Sequence, residues 1–366
     1  MIRHANRARR ILSFHGRRFD GRANLREQAL NDRSDSIRPT RWSTNPTTCF
    51  TYPLFHIPDL CKRYGRCRCR YQHDTDIGSD IDDSWALAMI LKSPELDLRL
   101  VTTTGYNIPY QTRVAAKLLE CGGRTDVKLA PGRGGEPALD AVEEWLDGYD
   151  ISAYPNLMDN AVDAMIDTVM NSDEKITILC IGCFKNLADA YEKCPEIAKN
   201  SRLVVIAGNI YNGAFKGWHP DLGGEWNIRC DLDAWRRGIE NTDWEVELLP
   251  LDVSGGVLLD TPYFERIRKA GETDRLIGEL VKSNDVWFKA QHWDYHGPTS
   301  PLFDTVGVYA CITHENLNYQ ELPIYANDKS VSLIDPVRGK MMNVALTWDD
   351  KEKFYRFLTA RLCGEI

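Results

Sequence analysis

The 366-residue sequence has no apolar run approaching the ~20 residues that a membrane-spanning helix requires, so no segment is expected to cross a bilayer. Secretion is also not expected. Ile11 to Phe14 falls short of the roughly 7 to 15 apolar residues of a signal core and runs into Gly16, Arg17 and Arg18. Nor is there a disulfide framework: eleven cysteines is an odd number, and a chain of this length needs no covalent staples. Cys180-Ile-Gly-Cys183 alone has CxxC spacing, and it reads as packing after a buried strand. Together these absences point to free thiols in a reducing, cytoplasmic setting. The glycine-rich stretches Gly122-Gly123 and Gly132-Arg-Gly-Gly135 lack the Gly-Lys-Ser/Thr ending of a phosphate loop and read as turns.

What is present is divided unevenly. Residues 1–73 hold 16 Lys+Arg against 5 Asp+Glu, a net +11, so the remainder of a chain with 45 and 53 carries 29 against 48, or −19. The net charge of −8 argues against a general nucleic-acid binder. Residues 1–72 alternate Arg clusters with Ser, Asn, Pro and Thr and show no sustained periodicity, which predicts a basic, unstructured extension. From residue 73 to 366 the texture predicts one α/β domain, with an open, mostly parallel central sheet flanked by helices.

Strands are expected at Leu98–Thr104, Val127–Ala130, Ile176–Ile181, Leu203–Ala207 and Val246–Leu251. Helices should fall at Gln111–Glu120, Asn160–Met170, Leu187–Lys193, Leu232–Glu240, Tyr263–Ala270 and Asp274–Ala290. One segment does not fit. A central parallel strand should be nearly all Val, Ile and Leu, yet the residues up to His73 are cationic. Either that strand is degraded or the upstream sequence is not the native start of the functional protein.

Asp74-Thr-Asp-Ile-Gly-Ser-Asp-Ile-Asp-Asp83 places five carboxylates within ten residues, directly before the apolar helical pattern Trp85–Leu91. Like charges so crowded repel unless a cation sits among them. With no His or Cys in the loop, a hard, oxygen-seeking divalent ion is the natural partner. The competing structural reading is a helix cap at Asp82 or Asp83 beside a solvated acidic turn. An EF-hand is excluded, because its twelfth position falls on Trp85.

The segment Asp74–Leu87 resembles the N-terminal signature of the inosine-uridine preferring nucleoside hydrolases, and further blocks resemble that family in the same order. They are Val101-Thr-Thr-Thr-Gly-Tyr-Asn107, Ile181-Gly-Cys-Phe-Lys-Asn-Leu-Ala188, Gly224-Glu-Trp-Asn-Ile-Arg-Cys-Asp231, Pro250-Leu-Asp-Val-Ser254 and Ser300-Pro-Leu-Phe-Asp304. The resemblance spans residues 74 to about 350. It implies Ca²⁺-assisted hydrolysis of the N-glycosidic bond of ribonucleosides through an oxocarbenium-like cation. Asp76, Asp83, Asp304 and the Ile181 carbonyl would ligate Ca²⁺, with Asp76 as general base. Asp82, Asn107, Glu225 and Asn227 would hold the ribose hydroxyls, and His219 lies near the place of a residue on the 5′ side. Glu225 and Asn227, two apart, would face the same way on an extended segment. The resemblance also implies a nucleoside as the partner and a homo-oligomer, dimer or tetramer.

Two departures stand out. Five residues separate Asp76 from Asp82 where the usual loop has three, which brings in Asp80 as a rival base or ligand. The family's histidine before the late aspartate is Phe303 here, so protonation of the leaving base falls to nearby candidates: His292, Tyr295 and His296, with Trp293 able to stack on a base. Two other readings remain: a haloacid dehalogenase-type phosphatase, disfavoured by Gly78, and a catalytically impaired relative that binds a ribosyl ligand.

Overall fold

The computed structural model describes residues 69–135, 140–211, 224–291 and 297–366. The strands are β1 (Cys69–Thr75), β2 (Leu96–Thr103), β3 (Lys128–Pro131), β4 (Ile176–Cys180), β5 (Ser201–Ile206), β6 (Val246–Leu249), β7 (Leu317–Ala326), β8 (Ser332–Ile334) and β9 (Lys340–Trp348). They form one sheet in the order β3-β2-β1-β4-β5-β6-β9-β7-β8. Pairing is parallel from β3 across to β9 and antiparallel where β7 meets β9 and β8. The open, mostly parallel sheet expected from the sequence is therefore present. Its order reverses between β1 and β4, and in open α/β sheets ligands bind at the carboxyl ends of the strands beside such a reversal.

Helices α1 (Asp82–Leu91), α2 (Ile108–Cys121), α3 (Ala161–Met170), α4 (Lys185–Lys193), α5 (Trp226–Cys230), α6 (Leu232–Trp235), α7 (Thr261–Ala270), α8 (Arg275–Gln291), α9 (Phe303–Ile312) and α10 (Lys351–Leu362) cover the sheet. Two apolar cores result. One gathers Trp85, Leu87, Trp287, Val306 and Phe354; the other gathers Phe184, Leu187, Trp235, Trp244 and Val344. Helix α1 is buried from Asp82 to Ile90, as befits a helix apolar on every side beyond its first turn. Asn107 and Asn160 cap α2 and α3, each accepting a backbone N–H in the first turn.

Differences from the sequence expectation are local. Strand β6 stops at Leu249, and Leu251–Ser254 turns into a single helical turn with Pro250 before it, since proline cannot donate to the ladder. β1 starts at Cys69, so four residues assigned to the extension belong to the sheet. Glu225 and Asn227 do not lie on an extended segment. Glu225 caps α5, because its carboxylate accepts the backbone N–H groups of Asn227 and Ile228 and starts a helix.

Candidate active site

β1 delivers the acidic loop to the reversal point. Asp74, at its end, is fully buried and satisfied: it accepts from Thr102 Oγ1 at 2.6 Å, Asn186 Nδ2 at 2.7 Å and Cys180 Sγ at 3.5 Å. Burial still pushes its carboxyl up to about 6. Asp74 is thus a structural anchor that ties β1 to β2, β4 and α4.

Asp76 follows with its backbone pressed between two glycines. A Cβ on Gly182 would stand 2.7 Å from the Asp76 nitrogen, and Gly105, at φ +110°, would place one 3.0 Å from Asp76 Cβ. Only glycine permits that approach. Gln111 Nε2 donates to the Asp76 carbonyl at 2.7 Å and fixes the loop from α2.

At the start of α1, Asp82 and Asp83 are buried, and Asp304 comes up beside them from the first turn of α9. One carboxylate oxygen from each of Asp82, Asp83 and Asp304 lies within 4.8 Å of the others. Two oxygens ligating one ion at about 2.4 Å each can be no farther apart than about 4.8 Å, so this spacing fits a single hard cation. Asp76 stands outside that trio, although the charges of Asp83 and Asp82 act on it.

The electrostatics agree with the donor set. Burial raises the carboxyls of Asp76, Asp82 and Asp304 well above the usual carboxylate range; neighbouring carboxylates add to the shift of all three, and the Cys230 thiol adds to that of Asp76. Asp83, which accepts from Thr75 Oγ1, is pushed up to about 7, chiefly by burial. Asp80 is half-buried, accepts the Ile81 N–H at 2.7 Å, pairs with Ser300 and reaches about 6, again through burial. A buried group of carboxylates that repel one another this strongly is suited to positive charge.

A second set of polar groups gathers around Glu225 and Asn227. Glu225 receives three backbone N–H groups: Asn227 at 2.9 Å, Gly208 at 3.1 Å and Ile228 at 3.3 Å. The Asn227 amide donates to the carbonyls of Ile181 at 2.8 Å and Ile206 at 3.0 Å, which leaves its own oxygen uncommitted by those bonds. A carbonyl has two lone pairs, so Ile181 keeps one for a further partner. Asn107 donates to Asp140 Oδ2 at 2.8 Å, and its oxygen caps α2. A cavity of about 650 Å³ opens beside it, lined by Tyr106, Asn107, Ile108, Pro109, Gly132 and Gly134.

The structure therefore gathers Asp76, Asp80, Asp82, Asp83 and Asp304 at one end of the sheet, and Asn227 links the Ile181 turn to the helix that Glu225 caps. His219, His292, Trp293, Tyr295 and His296 lie outside the described residues. Phe303 opens α9 and packs against the core. Sequence reasoning missed Asp140, Gln111 and the aromatic pair Tyr106–Trp226, whose ring centroids are 6.2 Å apart with Arg229 4.8 Å over the Trp226 ring. None of these pairs has a local spacing that could have announced it.

Comparison with known proteins agrees with this geometry. The model of the inosine-uridine preferring nucleoside hydrolase family matches residues 72–356, and the chain belongs to that family. The non-specific ribonucleoside hydrolase RihC of Klebsiella pneumoniae is 33% identical over 219 residues, covering 57% of this chain and 69% of the relative. The protein of the same name from Salmonella agona is 33% identical over 223 residues, with the same coverage. Among solved structures, a plant nucleoside hydrolase superposes with a TM-score of 0.67 at 24% identity, covering 81% of this chain and 99% of that one. An inosine-uridine preferring nucleoside hydrolase from Bacillus anthracis gives 0.65 at 18% identity, covering 82% and 100%. The protein is thus an N-glycosidase of the nucleoside hydrolase type, on the fold these structures share.

Proposed function

We propose that this chain hydrolyses ribonucleosides to ribose and free base, with Asp82, Asp83 and Asp304 holding a Ca²⁺ ion, joined by Asp76 and the Ile181 carbonyl. The observation that carries the reading is the convergence of carboxylate oxygens from three buried aspartates, Asp82, Asp83 and Asp304, within 4.8 Å of one another. When bound, the cation supplies positive charge that offsets the carboxylates and makes nearby water more acidic.

The chain's own groups account for the rest. Asp76 takes the proton from the attacking water, and its carboxylate faces the positive charge that develops on the ribosyl ring as the glycosidic bond breaks. Glu225, Asn227, Asn107 and Asp82 hold the ribose hydroxyls. The three N–H groups on Glu225 fix that carboxylate before substrate arrives, so little reorganisation accompanies binding. His219 is proposed on the 5′ side of the ribose, and His292, Tyr295 or His296 as donor to the leaving base in place of the residue that Phe303 replaces. Calcium as the resident ion, a role in purine and pyrimidine salvage and a homo-oligomeric state belong to the same proposal and rest on the family resemblance; a cytoplasmic setting belongs to it too and rests on the cysteine usage and the short apolar stretch near the N-terminus.

The base is assigned by comparing Asp76→Asn and Asp80→Asn in single turnover. A loss of about 10²- to 10⁴-fold confined to Asp76→Asn supports the reading. Mild and equal losses in both would remove Asp76 and Asp80 alike from the role.

A further inference from the structure

Three segments that carry the site meet at a pair of thiols the mechanism does not use. Cys183 lies in the turn after β4, two residues beyond Ile181, and is fully buried. Cys230 closes α5, whose first turn holds Asn227, and is half-buried. The two thiols are neighbours paired with each other. Tyr106, the residue before Asn107, sets its hydroxyl 2.7 Å from Cys230 Sγ. Cys183 Sγ also comes within 3.8 Å of where a Gly105 side chain would begin, so the cluster borders the Asp76 loop. Both cysteines are free.

We propose that Cys183 and Cys230 form a peroxide-responsive dithiol that closes to a disulfide across the active site. Cys230 is the more accessible thiol and reacts first. Its sulfur attacks the terminal oxygen of a hydroperoxide, the O–O bond breaks, an alcohol (or water, from hydrogen peroxide) leaves, and a sulfenic acid forms. The Cys183 sulfur then attacks the Cys230 sulfur, releasing water and forming the S–S bond. The two thiols together lose two electrons and two protons, and the peroxide is reduced.

Closure has a consequence for the site. A disulfide draws the two sulfurs to about 2.05 Å, well inside thiol contact, and so pulls the Ile181 turn against α5. That movement disturbs the Asn227–Ile181 bond and withdraws Cys230 from the Tyr106 hydroxyl next to Asn107. The expected effect is a reversible loss of hydrolysis; this part of the inference rests on the function proposed above, whereas formation of the bond does not.

The test exposes the full chain to hydrogen peroxide and reads two quantities: non-reducing peptide mass mapping and ribose release from inosine or uridine. The inference expects a Cys183–Cys230 linked peptide, at least a tenfold loss of ribose release, and recovery of both with dithiothreitol. Cys230→Val should abolish the linkage and keep its activity through peroxide treatment, and Cys183→Ala should lose the linkage independently. Absence of the linked peptide while Cys230 is oxidised to sulfinic acid or paired elsewhere would overturn the dithiol. A linked peptide with undiminished ribose release would overturn its coupling to the site. If the reduced chain releases no ribose at all, the function fails, while the linked peptide still decides the dithiol.

Discussion

β1 and β4 are neighbouring central strands, paired in parallel, and they solve the same burial problem in opposite ways. β4 is Ile-Thr-Ile-Leu-Cys, buried at every position, with its one hydroxyl, on Thr177, taking a bond from Arg202. β1 is Cys-Arg-Tyr-Gln-His-Asp-Thr, buried from Tyr71 onward. In its carboxyl-terminal half Asp74 and Thr75 are hydrogen-bonded into the site. Just upstream, the Gln72 amide and both His73 ring nitrogens are fully buried without a hydrogen-bond partner among the described residues. The site half of β1 is satisfied by hydrogen bonds to β2, α4 and Asp83, whereas the Gln72 and His73 side chains upstream are polar without compensation. Arg70, at the solvent end, escapes the problem by pairing with Ser172 and Asp173.

The largest way to separate the two halves is to damage the satisfied one. Asp304→Asn removes one charge from the trio of carboxylates, and ribose release should fall by about 10²-fold or more with the circular dichroism spectrum unchanged, since active-site groups of this kind act on transition-state charge. An unfolded variant would show instead that Asp304 is structural.

Acid attacks the other half. Burial lowers His73 from 6.5 to about 3, so the unfolded chain binds its proton first as pH falls below about 6.5. Its contribution to stability is intact above that pH and is lost progressively as pH drops toward 3. At about pH 5 the loss is about 2 kcal/mol. The raised carboxyls of the site act in the opposite direction, so the measurement is the difference between His73→Val and the parent in urea unfolding at pH 7 and 5. The variant should gain on the parent by about 2 kcal/mol between the two. A constant difference would mean that His73 is not buried neutral.

A change of similar kind and size concerns Gln72. Replacing it by Leu removes an unsatisfied amide and adds apolar burial, so the urea midpoint should rise, by about 1–3 kcal/mol in stability. Thr177→Leu on β4 is the matched control and should destabilise, because it leaves the Arg202 donor without its partner.

The smallest effect is a pH slope. With Asp83 near 7 and Asp80 near 6 in the cation-free protein, a bound cation must displace protons. Apparent Ca²⁺ affinity, followed by calorimetry in buffers of different ionisation heat, should rise between about pH 5.5 and 8 with measurable proton release. Affinity that stays flat with pH would contradict the repulsive cluster.

Much of this was legible in the sequence, for identifiable reasons. β4 and β5 carry short apolar runs, and β2 alternates leucine with Asp97 and Arg99 before its buried end; each is followed by a helical pattern, so their place in a parallel sheet follows from sequence texture. The antiparallel end was not assigned. β7 mixes Asn318, Gln320, Glu321 and Pro323 with its apolar residues because much of it is only partly buried, and half-exposed strands carry little pattern. For the site, Asp76, Asp80, Asp82, Asp83 and Asn107 could be read from local motifs and their order along the chain. What escaped was contact between distant segments: Asp140 on Asn107, Tyr106 on Cys230, and Asn227 folded into a helix by the residue two before it. The misfit of β1 was visible as charge before His73, while its cost is visible only where Gln72 and His73 are enclosed.

The central claim is that the carboxyl ends of these strands form a cation-dependent ribohydrolase site. The most direct measurement is ribose release from a panel of purine and pyrimidine ribonucleosides by the full chain, after EDTA treatment and again after Ca²⁺ is restored. The account predicts release that EDTA abolishes and Ca²⁺ returns. Release that is indifferent to EDTA, or none from any nucleoside while Ca²⁺ binds tightly, would contradict it.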